Sequence, residues 1–275
     1  MLKYRVMTAV VLIAALLGTL FFATPPVFCV FTEMVVLWAA WEWTFLMGMK
    51  PINYRLFYVL FLFIIMQAIF FVSVPMIVCE YFFYVTFFFW LLMVPLIMLY
   101  PRALFWKKSL LCQAAMGMFV LIPCWFAVNF IRIVNLNGQY LLLYLFILVW
   151  SADIAAFFIG KKWGKKRLAP RVSPGKTWEG AGGGIFTALI ITIAVLYWFE
   201  VPYPIWPYTL GLTLITIVFS VIGDLFESMF KRSEGLKNSG SLLPGHGGLM
   251  DRVDSLTAAA PIFTLGAIIL SRLTS

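Results

Sequence analysis

Long apolar runs, separated by short stretches that carry charges, prolines or polar turns, set the pattern of the whole chain. Each run comes close to the roughly 20 apolar residues that a helix needs to cross the hydrocarbon core of a bilayer. Prolines inside the runs do not argue against helices, because helices in a membrane tolerate proline. The pattern therefore predicts nine helices, which cover residues 6–23, 26–46, 56–78, 82–100, 110–130, 140–160, 181–198, 208–230 and 256–271.

The composition agrees with this pattern. The chain is 64% hydrophobic and 11% charged, whereas soluble domains are about 45–50% apolar and about 25% charged. We therefore expect an all-α, polytopic integral membrane protein. The first apolar run is long and further runs follow it, so it is predicted to be a retained span rather than a cleaved signal peptide. The four cysteines are scattered through apolar runs, which is typical of small buried hydrophobic residues.

The basic residues predict how the chain is oriented. If the N-terminus lies in the cytoplasm and the nine helices alternate, 18 of the 20 Lys and Arg face the cytoplasm. Such a bias is the usual signature of cytoplasmic loops. The C-terminus is then periplasmic. The net charge of +9 lies mostly on one face, which either reflects topology alone or also attracts anionic lipid or a polyanionic substrate. We expect no nucleic-acid partner.

Acidic residues concentrate in the second half of the chain. Eight of the eleven fall between Asp153 and Asp254, and the first 150 residues hold only Glu33, Glu42 and Glu80. We therefore predict that residues 1–138 contribute about five helices for support, dimerisation or a lipid groove. Residues 139–275 are predicted to form the catalytic region.

Two carboxylates lie inside predicted helices, near the ends that lead into basic loops. Asp153 is eight residues before Lys161, and Asp224 is seven residues before Lys231. A carboxylate in a membrane costs roughly 2.5–3.5 kcal/mol on insertion scales, so each should face protein, water or a cation. Glu227 shares a helix face with Asp224. Salt bridges between helices and a functional site both remain open for these residues.

Asp251 and Asp254 share a face where the last helix begins. They either complement the dipole at that helix start or act together with Asp224. Three oxygen donors without Cys or several His are the ligands that suit Mg²⁺ or a similar cation. The second interpretation predicts a metal centre built from two helices.

The loops between these helices carry residues that suit phosphate groups. The stretch "SPGKT" is not a P-loop, because Pro170 stands where that motif needs glycine. Glycine-rich turns beside a helix start still expose backbone N–H groups that can bind phosphate. A basic loop held at lipid headgroups, and a structural histidine, are the plain alternatives. The residues concerned are Ser173, Lys176, Thr177, Lys231, Arg232, Lys237, His246, Gly247, Gly248 and Arg252. Together with the carboxylates they favour phosphoryl or nucleotidyl transfer to a lipid phosphate.

The same residues form a long motif. Ser228 is followed by Lys231-Arg232 and Lys237-Asn238, then by "PGHGG" from Pro244 and "DRVD" from Asp251. From about Trp150 to Pro261 the chain resembles the bacterial phosphatidate cytidylyltransferase (CDP-diacylglycerol synthase) family. The resemblance is weaker towards the N-terminus.

This resemblance implies an enzyme that makes CDP-diacylglycerol and pyrophosphate from CTP and phosphatidate. It implies Mg²⁺, with K⁺ as a second cation, and a homodimer among the lipids of the bacterial inner membrane. Carried over by position, Asp224, Asp251 and Asp254 hold the metal, and Lys237 and His246 join them as catalytic residues. The remaining basic, hydroxyl and glycine positions line the path of the phosphates.

One position departs from the family pattern, which has aspartate where this chain has Asn238. Asparagine keeps an acceptor oxygen but loses the negative charge. We expect activity to survive, because the three metal-type aspartates remain. The alternatives are a catalytically weakened paralogue, an ion-coupled transporter, a different lipid phosphotransferase and a non-catalytic scaffold.

Overall fold

The computed structural model describes residues 2–72, 74–134, 137–240 and 247–274. Within these residues the chain forms nine α-helices and one short β-hairpin. The helices are α1 (Leu2–Phe22), α2 (Pro25–Leu46), α3 (Ile52–Phe71), α4 (Met76–Leu99), α5 (Leu110–Val134), α6 (Gly138–Trp163), α7 (Trp178–Trp198), α8 (Trp206–Ser233) and α9 (Met250–Thr274). The strands are β1 (Arg167–Ala169) and β2 (Ser173–Thr177), and short 3₁₀ turns cover Phe105–Lys108 and Tyr203–Ile205.

The predicted all-helical membrane architecture is confirmed. Eight helices in the described residues are long and apolar enough to cross a bilayer, and the described apolar part of α1, Met7–Phe22, is shorter. Helix α9 begins at Met250, six residues before its predicted start. The apolar pattern misses this first stretch because Asp251, Arg252 and Asp254 lower its hydropathy, although charged residues do not prevent helix formation.

The loop after α6 folds into the hairpin, which the sequence pattern does not predict. The two strands are antiparallel, with Arg167 opposite Thr177 and Ala169 opposite Ser173. The Thr177 hydroxyl then accepts a hydrogen bond from the Gly180 N–H at 3.1 Å and caps the start of α7. Such a cap satisfies one of the free amides at a helix start. The end of the bundle where this hairpin lies is called the hairpin end below.

Aromatic side chains join the first helices to α8. Phe230 lies 4.5 Å from Trp43 of α2 and 4.3 Å from Trp106, measured between ring centroids. Phe226, one turn earlier, packs edge-on against Trp90 of α4 at 5.5 Å. Aromatic pairs at these distances add to the stabilisation that burial gives. The helices of residues 1–138 therefore share a core with α8.

A second core surrounds α9. Phe263 of α9 is buried with Phe83 of α4, Phe130 of α5 and Phe146 of α6. Where α6 packs on α7, small residues let the two helices come close together. A Cβ at Gly184 would lie 2.7 Å from the carbonyl oxygen of Ala152, so only glycine permits this approach. The division at residue 138 stays a prediction about roles, since both regions contribute to both cores.

Candidate active site

Helices α8 and α9 cross closely where their carboxylates lie. A Cβ at Gly223 would stand 2.6 Å from the carbonyl oxygen of Asp254, so glycine is needed at this crossing. The next residue of α8 is Asp224, and Glu227 follows one turn later. The crossing therefore brings the carboxylates of two helices together at the hairpin end of the bundle.

Asp224 is held by a lysine from the hairpin. Its Oδ2 lies 2.6 Å from Nζ of Lys176 on β2, and its Oδ1 accepts a hydrogen bond from the Ser228 hydroxyl at 3.2 Å. The side chains of Lys176 and Asp224 are each about one quarter exposed. The hairpin thus delivers a positive charge to the aspartate of α8.

Lys231 is buried between two carboxylates. Its Nζ lies 2.8 Å from Oε2 of Glu227 and 2.7 Å from Oδ1 of Asp251. A buried ammonium group needs such partners, because removing a charge from water without compensation is costly. This lysine links the end of α8 to the start of α9.

Asp251 also organises the connection between α8 and α9. Its Oδ2 accepts hydrogen bonds from the backbone N–H groups of Ser239 at 3.0 Å and Gly248 at 2.9 Å. Gly247 has φ +82°, and a Cβ there would lie 2.7 Å from the same Oδ2. Glycine is therefore required at Gly247 for this connection to close on Asp251.

Asp254 and Glu227 form an unbalanced pair. Their side chains interact directly, yet Oε1 of Glu227 is buried and has no hydrogen-bond partner. Two neighbouring carboxylates with a free oxygen attract a cation or a shared proton. A cation at this point would therefore find oxygen ligands from both helices.

Asp153 brings a third helix to the site. Its carboxylate interacts with the Ser255 hydroxyl of α9, and it lies close enough to Asp224, Lys176 and Arg252 for their charges to act on it. From the sequence alone, both a salt bridge and a functional role are open for Asp153. The structure places it with the carboxylates of α8 and α9.

Other predicted site residues have different surroundings. Arg232 donates through Nε to the carbonyl of Val172 at 3.2 Å and through Nη1 to that of Leu236 at 2.7 Å, so it ties the hairpin to α8. Thr177 is the buried cap of α7, and Ser173 begins β2. Lys237 and Asn238 are exposed. His246, predicted to be catalytic, lies outside the described residues.

Glu42 of α2 contacts the site, although it is not among the site residues predicted from the sequence. This carboxylate is buried, and it accepts hydrogen bonds from Ser239, Leu249 and Met250. A signal for it exists in the sequence, because Glu42 stands alone in the apolar stretch "AAWEWTF". An ionisable residue inside a membrane helix is a functional candidate by default.

The donors at the site are of the type that a divalent cation prefers. In the described part of the chain, no group of three Asp, Glu, His or Cys is arranged so that it could hold a metal ion. Lysines pair with Asp224 and Asp251 instead. Oxygen ligands are nevertheless what Mg²⁺ prefers. The five carboxyl groups at the site outnumber its three basic side chains. These residues are Asp153, Asp224, Glu227, Asp251 and Asp254, with Lys176, Lys231 and Arg252.

The chain belongs to the cytidylyltransferase family, whose family model matches residues 3–269. Among its relatives is a phosphatidate cytidylyltransferase of Haemophilus influenzae, 40% identical over 286 residues that cover 96% of this chain and 98% of the relative. A phosphatidate cytidylyltransferase of Pseudomonas aeruginosa is 40% identical over 265 residues, 96% of each chain. One from Bacillus subtilis is 45% identical over 135 residues, 48% of this chain and 49% of that protein.

Proposed function

We propose that this protein makes CDP-diacylglycerol and pyrophosphate from CTP and phosphatidate, at the carboxylate cluster of α6, α8 and α9. The activity follows from the family and places the chain in phospholipid biosynthesis. The observation that supports this location best is the joint presence of buried carboxylates and lysines beside an apolar groove. A lipid phosphate and a nucleotide triphosphate need both surroundings.

The cation is assigned to the carboxylates. Asp224, Asp251 and Asp254 are the residues that would hold Mg²⁺, and the free Oε1 of Glu227 offers a further oxygen beside Asp254. When bound, such an ion neutralises charge on the substrate phosphates and on the leaving pyrophosphate. K⁺ as a second cation stays a prediction from the family resemblance.

The protein's own task is to position two anionic substrates. A phosphate oxygen of phosphatidate attacks the α-phosphorus of CTP, and the bond from that phosphorus to the pyrophosphate breaks. A phosphate monoester has a second pKa near 6, so it is already a dianion at pH 7 and needs no strong base. Lys176, Lys231 and Arg252 offset the repulsion between the substrates. Catalysis then rests on positioning and charge neutralisation.

An apolar groove beside Asp224 suits an acyl chain of phosphatidate. The groove has a volume of about 630 Å³ and lies between α4, α7, α8 and the hairpin, within the usual range for ligand pockets of about 300–1,000 Å³. Val221 and Leu225, which lie within one turn of Asp224, form part of its wall. Arg171 of the hairpin also lines it and is a cation for the anionic headgroup.

The position in the cell follows from the same assignment. CTP is a cytoplasmic nucleotide, so the hairpin end faces the cytoplasm of a bacterial inner membrane, as the basic residues predict. The homodimer implied by the family resemblance stays a prediction, and native mass spectrometry of the detergent-solubilised protein tests it.

The assignment is tested with purified protein, CTP labelled at the α-phosphate, phosphatidate and Mg²⁺. We expect labelled CDP-diacylglycerol, and its loss when EDTA removes the cation.

A mutational test addresses the proposed metal ligands. We expect kcat to fall at least about 100-fold, the size of a lost electrostatic contact to the transition state, in each of Asp224→Asn, Asp251→Asn and Asp254→Asn. Thermal unfolding shows whether each variant is folded. A folded variant with a near-normal rate removes its residue from the metal centre.

A further inference from the structure

We propose that Glu42 of α2 is a positioning residue for the active site, which acts by fixing the connection between α8 and α9. The described part of this connection consists of residues 234–240 and 247–249. Glu42 lies outside the sequence motif of the C-terminal half, about 200 residues before the groups that it contacts. Through Glu42, a helix of the first half of the chain determines the positions of Asp251 and Asp254.

The Glu42 carboxylate accepts three hydrogen bonds from this connection and from the start of α9. Oε1 accepts from the backbone N–H of Leu249 at 3.0 Å. Oε2 accepts from the backbone N–H of Met250 at 2.8 Å and from the Ser239 hydroxyl at 3.0 Å. Amides at a helix start carry partial positive charge and are natural partners of an anion. The carboxylate thus fixes the residues that lead directly into Asp251.

The backbone of the connection packs directly against the Glu42 carboxylate. A Cβ at Gly240 would lie 2.5 Å from Oε1 of Glu42, and a Cβ at Gly248 would collide with Oε2 and with the Ser239 hydroxyl. The side chain of Glu42 is only 2% exposed. Both glycines therefore bring the backbone directly against the carboxylate, from the two sides of residues 241–246.

Ser239 joins Glu42 to the carboxylates of the active site. Its hydroxyl donates to Glu42, and its backbone N–H donates to Oδ2 of Asp251. Gly248 also donates to that Oδ2. Oδ1 of Asp251 pairs with Lys231, which pairs with Glu227. An unbroken set of hydrogen bonds therefore runs from α2 to the carboxylates that are proposed to hold the cation.

Only a carboxylate can accept all three bonds. In Glu42→Gln one acceptor oxygen is replaced by an NH₂ group, which would face an N–H or O–H donor. At least one donor at the start of α9 would lose its partner, although the side chain keeps its size. Glu42→Asp keeps both oxygens but moves them back by one methylene group, so it should retain part of the function.

The matched control lies on the same helix. Glu33 is nine residues earlier, is 5% exposed, and accepts a hydrogen bond from Nε2 of Gln67 at 2.7 Å. Glu33→Gln makes the same chemical change at a buried carboxylate of α2, but away from the connection between α8 and α9. Any effect that is specific to positioning should therefore appear in Glu42→Gln and not in Glu33→Gln.

The experiment combines kinetics with hydrogen exchange on the full-length protein in detergent. In Glu42→Gln we expect kcat/KM to fall about 10–100-fold, as when partners of metal-binding carboxylates are removed. Amide exchange should become faster in peptides covering residues 247–256 and stay unchanged in the other helices. Glu42→Asp should fall between Glu42→Gln and the wild type, and Glu33→Gln should stay close to the wild type. If Glu42→Gln does not fold, Ser239→Ala removes one of the three bonds and should show the same local increase in exchange.

Two results would overturn the proposal. One is a kcat/KM of Glu42→Gln equal to that of Glu33→Gln. The other is faster exchange in all helices with normal turnover per folded molecule, which would make Glu42 a purely structural residue. The kinetic readout rests on the proposed function, whereas the exchange readout does not. Turnover of the wild type tests that function separately.

Discussion

At the scale of single residues, Asn238 has the most informative position. Its side chain packs on Gly247, since a Cβ built there would lie 3.2 Å from Cγ of Asn238 and 2.7 Å from Oδ2 of Asp251. The Asn238 amide and the Asp251 carboxylate therefore flank the same glycine. An aspartate at position 238 would add a negative charge next to a carboxylate that already has Lys231 and two backbone amides as partners.

This position gives a prediction for Asn238→Asp. With Mg²⁺ present, we expect a rate similar to or higher than that of the wild type, because added ligand charge strengthens cation binding. The Mg²⁺ concentration that gives half-maximal activity should fall. Asn238→Ala is the control that removes the amide without adding charge. A clear loss of activity in Asn238→Asp would mean that the connection depends on asparagine.

The sequence predicts residue identities at the site better than residue roles. Asp224 and Asp254 could be grouped because they lie at similar depth on the same side, and Lys176 could be added because its loop faces them. The structure brings the three residues together. The contacts of Arg232 with Val172 and of Glu42 with Met250 could not be predicted. They join segments that are far apart in the chain, and Val172 and Met250 take part only through backbone groups, which carry no sequence signal.

At the scale of elements, the hairpin connects the charged site to the apolar groove. Lys176 on β2 reaches Asp224, while Arg171 and Val172 line the groove. Arg232 of α8 holds the hairpin through the carbonyl of Val172. A phosphatidate molecule bound here would place its phosphate near the hairpin lysine and an acyl chain against α4, α7 and α8.

A bulky side chain in the groove should weaken binding of the lipid alone. Val218 of α8 lines the groove and is 40% exposed. We expect Val218→Trp to raise the KM for phosphatidate several-fold, because it fills space that an acyl chain needs, and to leave the KM for CTP unchanged. The measurement is steady-state kinetics in mixed micelles with phosphatidate of different chain lengths.

The control for this prediction is Ile215→Trp on the same helix. Ile215 is 46% exposed and is not part of the groove wall, so both KM values should stay close to those of the wild type. Equal effects of the two substitutions, or a change in the KM for CTP only, would place the acyl chain elsewhere.

Helices were easier to predict than the connections between them. An apolar run of about 20 residues identifies a membrane helix by its length alone. The hairpin has strands of three and five residues, and the stretch contains Pro170, Pro174 and Gly175, which usually indicate a loop. The hairpin is also held to α8 by the ion pair of Lys176 and by the hydrogen bond that Arg232 donates, and a local sequence pattern does not show such contacts.

At the scale of the whole molecule, the first helices form one structure with the site. Lys107, in the turn before α5, pairs with Glu234 at 3.1 Å and also bonds the carbonyl of Ser233 at the end of α8. Trp43 and Trp106 pack on Phe230, and Glu42 lies one residue before Trp43. Substitutions in residues 1–138 can therefore change catalysis without touching a substrate.

The number of membrane crossings decides on which side the N-terminus lies, because α9 begins at the hairpin end and places the C-terminus on the opposite side. Eight helices are long apolar spans in the described residues, and α1 determines whether the total is odd. Helix α1 has 21 residues, and its apolar part, Met7–Phe22, extends about 24 Å at 1.5 Å per residue. A bilayer accommodates a span somewhat shorter than its hydrocarbon core by local thinning and by snorkelling of flanking side chains. We therefore expect nine crossings, with the N-terminus on the cytoplasmic side and the C-terminus on the periplasmic side.

Reporter fusions in a bacterial host test this topology. Alkaline phosphatase, which folds only in the periplasm, should be active when fused after Thr274 and inactive when fused after Lys108. Green fluorescent protein at the same two positions should give the opposite result. The fusion after Lys108 is the internal control, because the basic residues around it favour the cytoplasm. A fluorescent and phosphatase-inactive C-terminus would show that the hairpin end, where α9 begins, does not face the cytoplasm. Green fluorescent protein fused to the N-terminus tests α1 separately. It should fluoresce if α1 crosses the membrane, and it should stay dark if α1 does not cross, because the N-terminus would then lie in the periplasm.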